Sequence, residues 1–132
     1  MLKNEIEEIN VQKDSIEVRV CNFKYLFDMM NGKKLLITGV MDVFLEQVPE
    51  ELQRINEAVT KTDYATIKIF AHTMRSTMSI MGISVLEALL KEMEDLGTSE
   101  TGIEKITELN QKLNSICTKA IEETKKEKFN YI

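Results

Sequence analysis

The chain predicts an all-α fold: an antiparallel up-and-down four-helix bundle with a short extra N-terminal helix. Three observations predict it. Leu, Ile, Met, Glu and Lys are abundant, while Gly contributes five residues and Pro one, a composition that favours helix. Apolar residues recur every three or four positions, the period of a helix with one buried face. Short capping and stop signals separate these segments, and short connections make consecutive helices antiparallel neighbours. At 132 residues, 43% hydrophobic and 30% charged, the chain has the balance of one globular domain with a real core.

Residues 1–21 are mixed and read as a leader or linker, with residues 22–132 as the bundle domain. Met1 to Asn10 suits a turn or two of helix, and Ser15 to Val20 suits extended chain. Asn22 caps a short helix through Met30, and Asn31-Gly32 stops it. Leu36, Val40, Val43, Phe44, Gln47, Val48, Leu52, Ile55 and Val59 then hold helical spacing, with a kink or break expected near Gln47 to Pro49. Thr62 or Asp63 caps a helix from Tyr64 to about Met81, ended by Gly82. Its apolar stripe is Ile67, Phe70, Ala71, Met74, Met78 and Met81. Ser84-Val85-Leu86-Glu87 has the form of a capping box and opens a helix with Leu86, Leu89, Leu90 and Met93 inside, stopped at Gly97. Thr101-Gly102-Ile103-Glu104 repeats that form and starts a last helix through roughly Lys128. Its inner face is Ile103, Ile106, Leu109, Leu113, Ile116, Ala120 and Ile121.

Composition also excludes functions. A net charge of −5 argues against nucleic acid, which requires a concentrated basic face. The run Lys125–Lys128 includes Glu127 and reads as a solvated helix end. Cys21 and Cys117 lack metal-ligand spacing, and the single histidine leaves a zinc site short of partners. Both cysteines read as reduced thiols, Cys117 on or near a core face. No apolar run approaches the roughly 18 residues that span a bilayer and no secretory signal opens the chain, so no membrane role and a cytoplasmic location are expected.

The single histidine, His72, lies roughly 140° around the helix from the centre of the apolar stripe and points at water. Lys68 and Arg75 flank it one turn before and after, and Ser76 and Ser79 continue the outward strip. An exposed imidazole with two cations and small neighbours makes a seat for a phosphoryl group. Ile69 faces the same side and Ile80 lies beyond the serines, two exposed apolar groups that suggest a contact patch. The Met74, Met78, Met81 stripe reads as core filling, Gly82 as a structural backbone device, and Glu92, Glu94 and Asp95 as a solvated face.

These residues carry a resemblance. Phe44 to Gly97 resembles a histidine-containing phosphotransfer domain of bacterial multistep phosphorelays. Phe44-Leu45-Glu46-Gln47-Val48-Pro49-Glu50-Glu51-Leu52 is similar to the family's helix before the histidine, and Asp63-Tyr64 stands where the family often has Asp and an aromatic. The family signature is His, a hydrophobic residue two positions on, Lys at the third, and Gly at the fourth and tenth. Here these places hold His72, Met74, Arg75, Ser76 and Gly82. The run from Leu86 to Gly97 fits the next helix, and Tyr25-Leu26 with Asn31-Gly32 suits the short first one. Two departures stand out. Arg75 keeps the charge of the usual Lys, and its guanidinium can grip phosphate oxygens bidentately. Ser76 replaces a Gly that lets a partner approach the imidazole.

The resemblance implies a phosphoryl carrier rather than an enzyme. His72 would accept the group from a receiver-domain aspartate and pass it to another receiver. Imidazole is mostly neutral at pH 7, so a ring nitrogen keeps a lone pair for attack on phosphorus. Arg75 would offset the charge spread over the phosphoryl oxygens, with Lys68 helping from the other side. Lys68, Ile69, Ser76 and Ser79 would form the receiver docking surface. No cofactor is expected in the chain itself: the receiver would bring the phosphorylated aspartate and Mg²⁺. Expected partners are response-regulator receiver domains and a hybrid sensor kinase, with the chain a monomer. Two alternatives are an adaptor bundle that binds receivers without transfer and a phosphoacceptor fragment of a larger chemotaxis-type or hybrid kinase. A sensor-kinase dimerisation domain normally has an acidic residue after the histidine and a Pro shortly beyond. Thr73 and the lack of that Pro count against it.

Overall fold

Helices form where apolar spacing and caps agree. A computed structural model describes residues 19–131, and every regular element among them is helical. α1 spans Phe23–Met29, α2 Lys34–Thr60, α3 Tyr64–Ile80, α4 Val85–Ser99 and α5 Ile103–Lys128, followed by a 3₁₀ turn, Phe129–Tyr131. α3 packs on α2 and α4, and α5 packs on the same two, so the four long helices close around one core.

The Asn22 side chain accepts a hydrogen bond from the Tyr25 N–H at 3.0 Å and starts α1. Asn31 and Gly32, both left-handed, end it. The start of α1 is fastened in two places. The Asn22 N–H donates to the Met81 carbonyl at the α3–α4 turn. The backbone N–H groups of Val20 and Cys21 donate to the Glu123 carboxylate of α5 at 2.9 and 3.0 Å. Cys21, grouped with the leader from sequence, is part of the core. The helical turn expected over Met1 to Asn10 and most of the extended stretch from Ser15 lie outside the described residues.

Of the kink or break expected near Pro49, the break does not occur: α2 runs on through Pro49. A proline inside a helix costs about 3 kcal/mol through a missing N–H and a ring clash. Phe44 and Val48 before it and Leu52 and Ile55 after it are all buried, each worth about 1.5–3 kcal/mol, so burial outweighs the lost bond. Not all the α2 residues that hold helical spacing are buried. Ile37 and Met41 face the core, while Leu36 and Val43 are half-exposed and Gln47 faces solvent.

Asp63 caps α3, accepting from the Thr66 N–H at 3.2 Å and the Thr66 hydroxyl at 2.6 Å. Those bonds hold its carboxyl below the ordinary carboxylate range. The two expected capping boxes do not form. Ser84 already has helical backbone angles and makes no capping bond, and Glu87 reaches Arg75 instead. α5 begins at Gly102, whose left-handed φ of 77° replaces a side-chain cap. Nor does α4 stop at Gly97: it continues to Ser99 and ends on left-handed Glu100.

Gly97 is instead a buried contact point. A Cβ there would lie 3.1 Å from the Lys68 nitrogen and the Tyr64 carbonyl oxygen, and 3.2 Å from the Lys68 Cα. The missing side chain lets α4 lie against the backbone of α3. On the far side of the bundle, α2 and α5 meet through Asn56, which accepts from Asn110 and Asn114 at 2.7 and 2.8 Å and donates to Asn114 at 3.0 Å. Both cysteines are free and buried, and burial first pushes each thiol up to about 12; neither is a thiolate at neutral pH. Among the described residues no helix is long and apolar enough to cross a membrane.

Gly97→Val is expected to cost about 1–3 kcal/mol by overpacking the α3–α4 contact. Gly39→Ala, at an interior α2 position with nothing within 4 Å of the added Cβ, is expected to stabilise by about 0.5–1 kcal/mol. Urea denaturation of the two variants checks both signs.

Candidate functional site

α3 buries Ile67, Ala71, Met74 and Met78, and this turns His72 outward with its side chain 71% exposed. Lys68 and Ile69 lie one turn before it, Ser76 one turn after and Ser79 two turns after, all exposed. Gly82 sits at the end of this helix with a φ of 67°, and a Cβ there would be 2.7 Å from the Asn22 Cβ and 2.9 Å from its carbonyl oxygen. Its place is the junction where α1 joins the α3–α4 turn.

The imidazole is held by a residue that belonged, from sequence, to a solvated face. Glu94 of α4 is only 17% exposed, and its Oε1 lies 2.8 Å from His72 Nδ1. Its Oε2 accepts from Arg75 Nη1 at 3.0 Å. The other end of the guanidinium, Nη2, donates to Glu87 Oε1 at 3.1 Å. Asp95, by contrast, is exposed and paired with Lys91. One signal for Glu94 existed in the sequence. Glu87, Lys91, Glu94 and Thr98 recur at helical spacing, one polar stripe on the helix that must run antiparallel beside α3.

Burial works to raise the Glu94 carboxyl, but the hydrogen bonds from Arg75 and His72 outweigh it and hold the group below the ordinary carboxylate range. Glu87 first, then Glu94, keep the Arg75 guanidinium charged. The guanidinium expected beside a phosphoryl group is thus closed on two carboxylates. Lys68 makes no ion pair among the described residues. Because an ionised carboxylate can only accept, the neutral ring carries its proton on Nδ1. The Nε2 lone pair is left without a partner among the described residues, on the exposed side of the helix.

What this arrangement can do is limited and specific. It offers one oriented nitrogen nucleophile. Among the described residues no cluster of three His, Cys, Asp or Glu could hold a metal ion. Beside the histidine strip, an open groove of about 450 Å³ runs between α2 and α3, lined by Leu35, Leu36, Gly39, Val43, Thr77 and Ile80. Leu35 is 88% exposed, and Ile69 of the histidine strip is 60% exposed. Leu36 and Val43, two of the residues at helical spacing along α2, belong to this outward apolar surface.

Residues 39–123 match the family model of the Hpt domain. Among solved structures, the chain is similar to the crystal structure of histidine-containing phosphotransfer protein B (HptB) from Pseudomonas aeruginosa PAO1. The TM-score is 0.78 at 17% identity, over 87% of this chain and 99% of that one. No curated protein matches.

Glu94→Ala is expected to release the ring. In ¹⁵N spectra of the imidazole at neutral pH, the Nδ1–H form should dominate in the wild type and fall in the variant toward the ratio of a free histidine side chain.

Proposed function

Because this chain belongs to the Hpt domain family, we propose that it carries a phosphoryl group on His72, taken from a receiver-domain aspartate and passed on to a second receiver in a phosphorelay. The observation that carries the proposal is the orientation of the imidazole: Nδ1 is engaged by Glu94 and Nε2 is presented to solvent.

In the proposed transfer the Nε2 lone pair forms the N–P bond as the P–O bond to the receiver aspartate breaks, and that electron pair returns to the aspartate carboxylate. Charge spreads over the three equatorial phosphoryl oxygens. The positive charge developing on the imidazole lies against the ionised Glu94 carboxylate, which is in place before the reaction begins. Lys68, one turn from His72, is the cation able to approach the phosphoryl oxygens, and small Ser76 leaves room for a partner. The receiver supplies Mg²⁺ for its own aspartyl phosphate. The product is a phosphoramidate, labile enough for the same atoms to run the transfer in reverse onto another receiver.

The groove between α2 and α3, with Leu35, Leu36, Val43 and Ile80, is the proposed receiver docking surface, joined to the strip of Lys68, Ile69, Ser76 and Ser79. An exposed apolar patch of this kind beside a reactive side chain marks a contact site. The proposal includes the cytoplasmic location and monomeric state of such carriers.

Incubation with a phosphorylated receiver is expected to leave acid-labile, base-stable label on the wild type and none on His72→Gln, whose stability should change by under about 0.5 kcal/mol. Binding to a receiver without label would instead identify a non-transferring adaptor. Leu36→Glu is expected to weaken receiver binding by about tenfold while leaving labelling by the small donor phosphoramidate unchanged.

A further inference from the structure

We propose that Glu87 is a positioning residue for the phosphoacceptor: by holding one end of the Arg75 guanidinium, it keeps Glu94 Oε1 free to orient His72. This deepens, and rests on, the phosphocarrier role of His72.

The contacts form one chain across two helices: His72 Nδ1 to Glu94 Oε1, Glu94 Oε2 to Arg75 Nη1, and Arg75 Nη2 to Glu87 Oε1. Glu87 and Glu94 are two turns apart on α4, about 10.5 Å along its axis. A guanidinium, with separated donors in a rigid fork, can hold both carboxylates at once. The single ammonium of a lysine cannot span them in this way. Arg75 stands where the family resemblance expects lysine, so the departure and Glu87 belong together. The Arg75 side chain is 28% exposed, and its Nε is buried with no hydrogen-bond partner among the described residues. It is therefore packed along its length and anchored at its tip.

Arginine and carboxylate pair best as two parallel hydrogen bonds, both guanidinium donors on both oxygens. That geometry would put a guanidinium donor on Glu94 Oε1 as well, where it competes with His72 Nδ1–H for the same oxygen and weakens its hold on the ring. Glu87 prevents it by taking Nη2, leaving Glu94 one oxygen for the arginine and one for the imidazole. Without Glu87, the guanidinium closes on Glu94 alone and the hold on the ring weakens. The proton then moves from Nδ1 to Nε2 in a growing share of molecules, and an Nε2–H nitrogen has no lone pair for phosphorus.

The test pairs ¹⁵N tautomer ratios of unphosphorylated protein with transfer rates from a phosphorylated receiver, for the wild type, Glu87→Gln, Glu87→Ala, Arg75→Lys and the double variant of the last two. Glu87→Gln keeps an acceptor for Nη2 and is expected to stay near the wild type, whereas Glu87→Ala, which removes the acceptor, is expected to shift the ratio toward Nε2–H and slow transfer about two- to fivefold, the range set by a partly exposed ion pair. In the Arg75→Lys background Glu87→Ala should change neither quantity, because no fork remains to close on Glu94. An unchanged ratio in Glu87→Ala, or an equal loss in both backgrounds, overturns the proposal. If no donor labels the wild type while the ratio responds as stated, the positioning holds and the phosphocarrier role fails. The two failures are thus separable.

Discussion

The distance between α3 and α4 governs everything the histidine can do, and Gly97 sets that distance. With no side chain, it lets the α4 backbone rest against Tyr64 and Lys68 in the first turns of α3. Because the helices run antiparallel, moving from Gly97 back to Glu94 and from Lys68 forward to His72 keeps the two elements in step. The carboxylate therefore arrives beside the imidazole through packing, with no flexible loop to position it. A wider separation would leave Glu94 in water, as it was read from sequence, and His72 as an ordinary surface residue.

The histidine site combines a rigid base with an incomplete chemistry. Buried Ile67, Ala71, Met74 and Met78 fix the rotation of α3, so the exposed ring needs orientation only about its own bonds. Glu94 supplies that, and its carboxylate stays ionised because Arg75 and His72 together overcome the cost of its burial. The electrostatics are local and nearly balanced: two carboxylates, one guanidinium and an imidazole.

The outward apolar surface has the same origin. α2 turns Ile37 and Met41 to the core, which leaves Leu35, Leu36 and Val43 outside with Ile80 of α3. The hydrophobic stripe of α2 is wider than the core can cover, and the surplus forms a groove beside the histidine strip. The core and the groove thus draw on one helix, whose two faces Pro49 does not interrupt.

Much of the molecule was legible in the residues alone. The helical period placed the five helices of the described residues. Asn22 declared its cap and Thr62-Asp63 narrowed the next to two residues, because a short side-chain acceptor just ahead of free N–H groups needs nothing from the rest of the fold. His72 faced outward on the wheel because local geometry fixes direction relative to the helix axis. Tertiary structure decided what depended on a neighbour. The cap-like Ser84–Glu87 pair gave way to the pull of Arg75 from another helix. Gly97 proved to be a contact point because the α3 backbone lies against it, and Pro49 stayed helical because burial on both sides outweighed its cost. Glu94 met His72 because two helices pack at one distance and one register. Sequence periodicity tells which face of a helix is wet or dry, but which side chain stands opposite another is set by packing between elements.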